Sequence, residues 1–194
     1  MASIHWSALA GDLVQLRAIL ATGVDVDARR NGRPALNVAA LNGHATCPKA
    51  LLAAGASVHS STVTDDVTAL HEASFTGRAA CVRALIAAGS DVNRADRYGN
   101  TPFTCALAGG HPRVLKILLR AGADVHTADV ARHEDNTSAW ALVDEIREVG
   151  GWANYVARYP PTTLASVVDK AMSGALPDPI PLIVATFLEP PGGY

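Results

Sequence analysis

Aromatic residues are scarce in this chain, 5% of 194 residues, which argues against a β-sandwich or barrel, whose strands draw on aromatic and β-branched side chains. Cysteine is scarcer still. There are 3, an odd number with no Cys-x-x-Cys pair, so neither a disulfide framework nor a zinc framework is expected. A reducing cytoplasmic or nuclear setting is the natural reading. Neither sign of charge dominates: 16 Lys and Arg face 18 Asp and Glu, for a net −2. No strong field therefore pulls the chain toward nucleic acid or anionic lipid. No run of about 18 apolar residues occurs, so no membrane span is expected. The first 30 residues lack a basic start followed by a long apolar core, so no secretory signal is expected. Phosphate-cradling glycine loops and a Gly-x-Ser-x-Gly elbow are also missing. What remains is small and apolar. Hydrophobic residues make up 49%, Ala and Leu foremost, which suits closely packed helices. The length allows one continuous domain with a sizeable core.

The chain repeats itself. Gly23, Gly55, Gly89 and Gly122 stand 32, 34 and 33 residues apart. A period near 33 with helix, turn and helix inside each unit marks a solenoid of stacked interaction surfaces. The unit from Arg94 to His126 shows the logic. A turn at Asp96–Asn100 leads to Thr101-Pro102, a cap followed by a residue suited to the first helical position. A short helix from about Phe103 to Ala108 stops at Gly109-Gly110. His111-Pro112 opens a second helix whose apolar stripe is Val114, Leu115, Leu118 and Leu119. Neither helix is stable alone at such lengths, so each stripe must be covered by a neighbouring unit. Leu51, Leu85 and Leu118 hold the same register and are expected to line a shared interior.

The other units match by position. One carries Asn31-Gly32, Pro34-Ala35-Leu36-Asn37, Gly43-His44 and Gly55-Ala56-Ser57-Val58. The next carries Thr68-Ala69-Leu70-His71, Gly77 and Gly89-Ser90-Asp91-Val92-Asn93. An opening half-unit with Ile4, Leu9, Gly11-Asp12, Leu16 and Leu20 suits an N-terminal cap. The expected organisation is a cap at 1–27, repeats at about 28–59, 60–93 and 94–126 within a segment 1–130, a degenerate capping repeat at 131–160, and helices with a proline-rich tail at 161–194.

This pattern resembles the ankyrin repeat family. Its hallmarks are a glycine turn, Thr-Pro-Leu-His, Ala-Ala, Gly-His and Gly-Ala-Asp-Val-Asn. They stand here as Gly99-Asn100-Thr101-Pro102-Phe103, Thr68-Ala69-Leu70-His71, Ala39-Ala40, Gly43-His44, Gly110-His111 and Gly122-Ala123-Asp124-Val125. The resemblance implies an all-α solenoid of antiparallel helix pairs, with β-turn fingers to one side and a helical C-terminal cap. Two departures stand out. Pro48 falls inside the expected second helix of its unit, which predicts a late start or a distortion. Asp66 replaces the turn glycine in a finger one residue longer than its neighbours, which predicts a strained left-handed residue.

Beyond Val130 the register blurs. Helices are expected at about Ala139–Val149 and Trp152–Tyr159, with Trp152, Tyr155 and Tyr159 on one face, sealing the stack or forming a partner groove. Another is expected at Thr162–Met172, before an extended run with Pro177, Pro179 and Pro181 and a short apolar helix to about Leu188. Leu164, Val168 and Met172, then Leu176-Pro177-Asp178-Pro179 and Leu182 to Leu188, weakly resemble a SOCS box, the adaptor element that recruits a cullin-type ubiquitin ligase. A valine, Val168, stands where that family has a cysteine, and the linker is short.

The 7 histidines do not make a metal site. Most are explained by the repeat: His44 and His111 share one register position, His59 and His126 another, and His5 aligns with Asn37 and His71. Side chains in register stand about 10 Å apart in stacked helices, too far to share a zinc ion at about 2 Å. Cys47 and Cys81 align with Val114 on the buried stripe; Cys105 has no neighbour that would activate it. No catalytic residue, metal or cofactor is expected, and the chain reads as non-enzymatic.

The resemblance implies binding of another protein by finger tips and the exposed side of the first helices. Transferred by position, these are Arg30, Asn31, Arg33, Leu41 and Asn42 in the first full unit; Thr64, Asp65, Val67, Phe75 and Thr76 in the second; and Arg97, Tyr98, Asn100 and Ala108 in the third. Polar residues on a loop tip often do no more than face water. Arginine beside tyrosine, with an otherwise unexplained Phe75, is instead the make-up of binding hot spots. Arginines beside Asp65 and Asp66 suggest a mixed-charge partner surface and argue against nucleic acid. The expectation is a monomeric protein-interaction module; the alternative is a substrate-recognition adaptor that also binds ligase adaptor proteins.

Overall fold

The computed structural model describes residues 3–124, together with 144, 146, 148–150, 154 and 157. The chain divides into two compact units, Met1–Ala131 and Arg132–Tyr194. In the first, four helix pairs follow one another: α1 (Ile4–Ala10) with α2 (Leu13–Leu20), α3 (Ala35–Asn42) with α4 (Thr46–Ala53), α5 (Ala69–Phe75) with α6 (Ala79–Ala87), and α7 (Pro102–Ala108) with α8 (Pro112–Arg120). First helices pack on first helices in the order α1, α3, α5, α7, and second helices stack likewise as α2, α4, α6, α8. In the second unit Asp144, Ile146, Glu148, Asn154 and Ala157 are helical and Ile146 is fully buried. The expected elements at 161–194, the Trp152, Tyr155 and Tyr159 stripe and the SOCS-box-like residues lie outside the described residues.

The helices begin where polar side chains offer caps. Ser3 accepts from the Trp6 N–H at 3.3 Å, Asp12 from Gln15 at 2.9 Å, and Thr101 from Thr104 at 3.3 Å. They end on left-handed glycines. At Gly55, Gly89 and Gly122, with φ of 92°, 87° and 90°, the following N–H reaches back to the carbonyls of Leu51, Leu85 and Leu118 at 3.0, 3.1 and 3.0 Å. This is the Schellman closure, and it satisfies carbonyls that the helix itself leaves open. The same three leucines, with Leu16, are fully buried and line the shared interior.

Pro48 does delay its helix. In α6 and α8 the N–H groups of Val82 and Leu115 bond to Arg78 and His111 carbonyls at 2.9 and 3.1 Å. Pro48, in the same register, has no N–H to give, and α4 opens one step later, at Thr46. No distortion follows, because Pro48 then sits in the first turn, where N–H groups lack helical partners anyway.

Between the pairs stand the fingers. The first is a hairpin of two short antiparallel strands, β1 (Arg29–Arg30) and β2 (Arg33–Pro34). Asn31 and Gly32 turn it with φ of 51° and 74°, both positive as a two-residue hairpin turn requires. In the second finger Asp66 adopts φ 56°, and the Thr62 N–H still closes on the Val67 carbonyl at 2.9 Å. The fingers are bonded in a row: the Val63 N–H donates to the Gly32 carbonyl at 3.1 Å, and Arg97 N–H to Asp65 carbonyl at 2.9 Å.

Two sets of side-chain latches join unit to unit. Forward, His5, Asn37 and His71 occupy one register and donate to the finger-base carbonyls of Arg33, Val67 and Asn100 at 3.0, 2.8 and 3.0 Å. Backward, His44 and His111 donate to the Leu9 and Phe75 carbonyls at 3.1 and 3.0 Å. A carbonyl only accepts, so Nε2 of each of these histidines carries a proton. The His71 Nδ1 in turn accepts from the Thr68 hydroxyl at 2.7 Å and the Thr68 N–H at 3.2 Å, closing a capping box on α5. Burial holds the His71 pKa below its ordinary value, against the pull of its bond to Asn100.

Replacing Leu118 by Ala should cost about 2–5 kcal/mol, read from urea midpoints. Gly89→Ala should cost about 1–2 kcal/mol, a purely backbone penalty, since its Cβ would meet nothing within 4 Å. Gly77→Ala should cost more, because its Cβ would also run into the His111 ring. His71 should make the stack acid-sensitive. Its folded pKa lies below its unfolded value of about 6.5, so its contribution is complete above that pH and is lost as pH falls toward the folded pKa. His71→Ala should therefore cost about 1–3 kcal/mol at neutral pH. The gap from wild type should narrow on acidification, measured by urea melts at matched pH.

Candidate functional site

Short first helices and turned fingers bring the expected interface residues onto the first unit's finger-and-first-helix face. Arg30, Asn31, Arg33, Thr64, Arg97 and Tyr98 are exposed. Phe75 is 54% and Tyr98 67% exposed. Tyr98 stands against the neighbouring finger, its hydroxyl donating to Asp65 at 3.2 Å, while the other Asp65 oxygen accepts from Thr64 at 2.8 Å.

Other expected residues serve the scaffold. Asn100 is half-buried, its amide donating to the Asp96 carboxylate at 3.0 Å and its carbonyl receiving His71. Val67 is half-buried and supplies the carbonyl that Asn37 grips. Thr76 and Asn42 fold back on their own helices, donating to the Glu72 and Val38 carbonyls at 2.7 and 2.8 Å. Leu41 and Ala108 are half-buried.

All five residues named from the first full unit border one groove of about 300 Å³. Leu41 shares its floor with Trp6, Leu9 and Val38, and Arg30, Asn31, Arg33 and Asn42 form its rim. His5 lies beneath, held by the Arg33 carbonyl. Trp6 is 58% and Leu9 41% exposed. These two escaped the transfer by position because they belong to the incomplete opening unit. The signal was present: Leu9 falls in register with Leu41 and Phe75, and Trp6 with Val38. Val63, exposed beside Gly32 on the second finger, was missed as well.

The electrostatics are local. Arg33 reaches across to Glu72 at 3.0 Å, a charge contact, since that carboxylate oxygen makes no hydrogen bond. Burial pushes the Glu72 carboxyl above its ordinary value and Arg33 pulls the other way. Cys47 and Cys81 are buried with thiols raised chiefly by burial. Cys105 is half-buried and its thiol is pushed up to about 12, chiefly by burial and further by Asp96 and Glu72. Such a thiol stays protonated and unreactive at neutral pH. Among the described residues no group of three or more His, Cys, Asp or Glu could hold a metal ion, and no helix is long and apolar enough to cross a membrane.

A search of curated proteins finds no match. The family model for ankyrin repeats, a repeat found in many copies, matches residues 4–52 and 70–119, together 99 of 194, just over half the chain. Those two segments hold the cap, the first helix pair after it, and the paired helices from α5 to α8, the same elements that share the leucine interior and the latches. The chain belongs to the ankyrin repeat family, whose repeats are generally protein–protein interaction modules.

Proposed function

We propose that this chain is a non-enzymatic module that holds a partner protein on the face formed by its finger tips and first helices. One observation carries the reading. Leu9, Leu41 and Phe75 repeat in register along the first helices, and Leu9 and Phe75 remain substantially exposed. In a stack that buries Leu16, Leu51, Leu85 and Leu118 completely, a row whose Leu9 and Phe75 stay exposed beside arginine and tyrosine fits a binding surface.

The physics of the scaffold supports this. Each finger is bonded to the next and latched at its base by the preceding unit, so the face is ordered before any partner arrives. Little ordering entropy is then lost on binding. Arg30 and Arg97 alternate with Asp65 along the tips, a mixed pattern that suits a protein surface carrying both signs. A single chain presents the whole face, and no cofactor enters. The adaptor alternative rests on sequence resemblance in residues 162–188 and requires co-purification of elongin.

The test is affinity capture from native cells followed by mass spectrometry, with the wild-type chain and the Arg97→Ala, Tyr98→Ala double variant side by side. Both side chains are exposed, so the double variant should keep its thermal midpoint nearly unchanged while captured partners fall at least about tenfold. Equal capture by both chains would remove the third finger from the interface. A sharp fall in melting temperature would make these side chains structural.

A further inference from the structure

We infer that the groove between α1, α3 and the first finger seats an acidic, extended segment of the partner through one large apolar side chain. This rests on the interaction-module reading and specifies its chemistry at one end of the face.

The groove's floor and rim differ in kind. The floor is apolar, made by Trp6, Leu9, Val38 and Leu41, and its volume of about 300 Å³ is at the small end for ligand sites. That space admits one bulky side chain and its immediate neighbours; it is too small to take the surface of a folded domain. The first finger overhangs it with cations. Arg30 is exposed and, among the described residues, makes one long bond, from NH1 to the Ser3 hydroxyl at 3.4 Å. Most of its guanidinium donors therefore remain available. Arg33 is half-exposed on its side chain and touches Glu72 through NH2 alone.

Among the described residues no carboxylate lines the groove. In the neighbouring unit Glu72 is buried against Arg33 and offsets part of that cation, and Asp65 is bonded to Thr64 and Tyr98. His5 faces the groove from below, its Nε2 committed to the Arg33 carbonyl. Arg30 is thus the principal charge presented to an occupant. Guanidinium groups favour carboxylates, which they can bind in a bidentate fork. In an extended chain, residues two apart point the same way at about 7 Å spacing, so an acidic residue two positions from the anchor can reach the finger.

The experiment uses the full-length chain and fluorescein-labelled dodecapeptides read by anisotropy. One peptide carries a central Phe flanked by Glu; its companions replace the flanks by Ser or by Lys, or the Phe by Ala. The Glu-flanked Phe peptide should bind, and each companion should bind about tenfold more weakly. Binding should weaken as salt rises. Leu9→Asp, at a surface position, should abolish binding with helix content unchanged, and Arg30→Glu should shift preference toward the Lys-flanked peptide. The Trp6 indole N–H resonance, assigned by its loss in Trp6→Phe, should move on titration. Equal binding of Ser- or Lys-flanked peptides would overturn the charge assignment. Undiminished binding to Leu9→Asp, or a Trp6 resonance that stays still, would overturn the location. Absence of peptide binding alongside partner capture that depends on Arg97 and Tyr98 would sink the groove alone. Absence of both would sink the wider reading.

Discussion

No helix pair among the described residues can bury its own leucines. The described helices are seven to nine residues long, well under the length at which isolated helices hold in water. Each second helix therefore depends on its neighbours to cover Leu16, Leu51, Leu85 or Leu118, and each of these reaches zero exposure only inside the stack. Full burial of one such side chain is worth about 1.5–3 kcal/mol, which must be set against the entropy of ordering the chain around it. The leucine row thus couples the units: none is stable unless the adjacent ones are formed.

Non-directional burial would tolerate sliding. The latches remove that freedom. His5, Asn37 and His71 each reach one unit forward to a carbonyl at the base of a finger, and His44 and His111 reach one unit back to the end of a first helix. The forward bonds fix the finger relative to the helices beside it; the backward bonds fix the spacing of the helix pairs. Histidine serves here as a donor through Nε2, and Asn37 shows that a side-chain amide can do the same work at 2.8 Å. Geometry at the finger tips is inherited from this network, which explains how a finger with Asp66 in place of glycine keeps its closure.

The repeat was legible from sequence because its signals agree with one another. Glycine spacing, the Thr-Pro helix start and the leucine register all name the same boundaries, and the structure places α7 at Pro102–Ala108 and α8 at Pro112–Arg120 accordingly. The alignment of His5 with Asn37 and His71 was visible too, but not its meaning. A register gives the position of a side chain; only the stacked backbone shows that a carbonyl waits there. The same limit governs the candidate face. Asn100, Val67 and Thr76 carry residue types that suit a partner surface, and nothing in the linear pattern says that neighbouring atoms already occupy them. Trp6 and Leu9 were hidden for the opposite reason: they stand ahead of the first finger in this sequence, and a position is hard to read as part of a face without a finger beside it.

Stability and recognition are joined at the finger base. The carbonyls of Arg33, Val67 and Asn100 receive the forward latches, while the side chains of Arg33 and its neighbours Arg30 and Asn31 look into the groove. A change that loosens a latch must therefore also move the residues proposed to meet a partner. The converse does not hold, because the side chains of Tyr98, Phe75 and Leu9 are exposed and take no part in the latches, which use only the Leu9 and Phe75 backbone carbonyls. This asymmetry separates two kinds of variation that would look alike in a binding assay. On the proposed reading, side chains in the Leu9, Leu41 and Phe75 register choose the partner, whereas those in the His5, Asn37 and His71 register decide whether a face exists to be chosen.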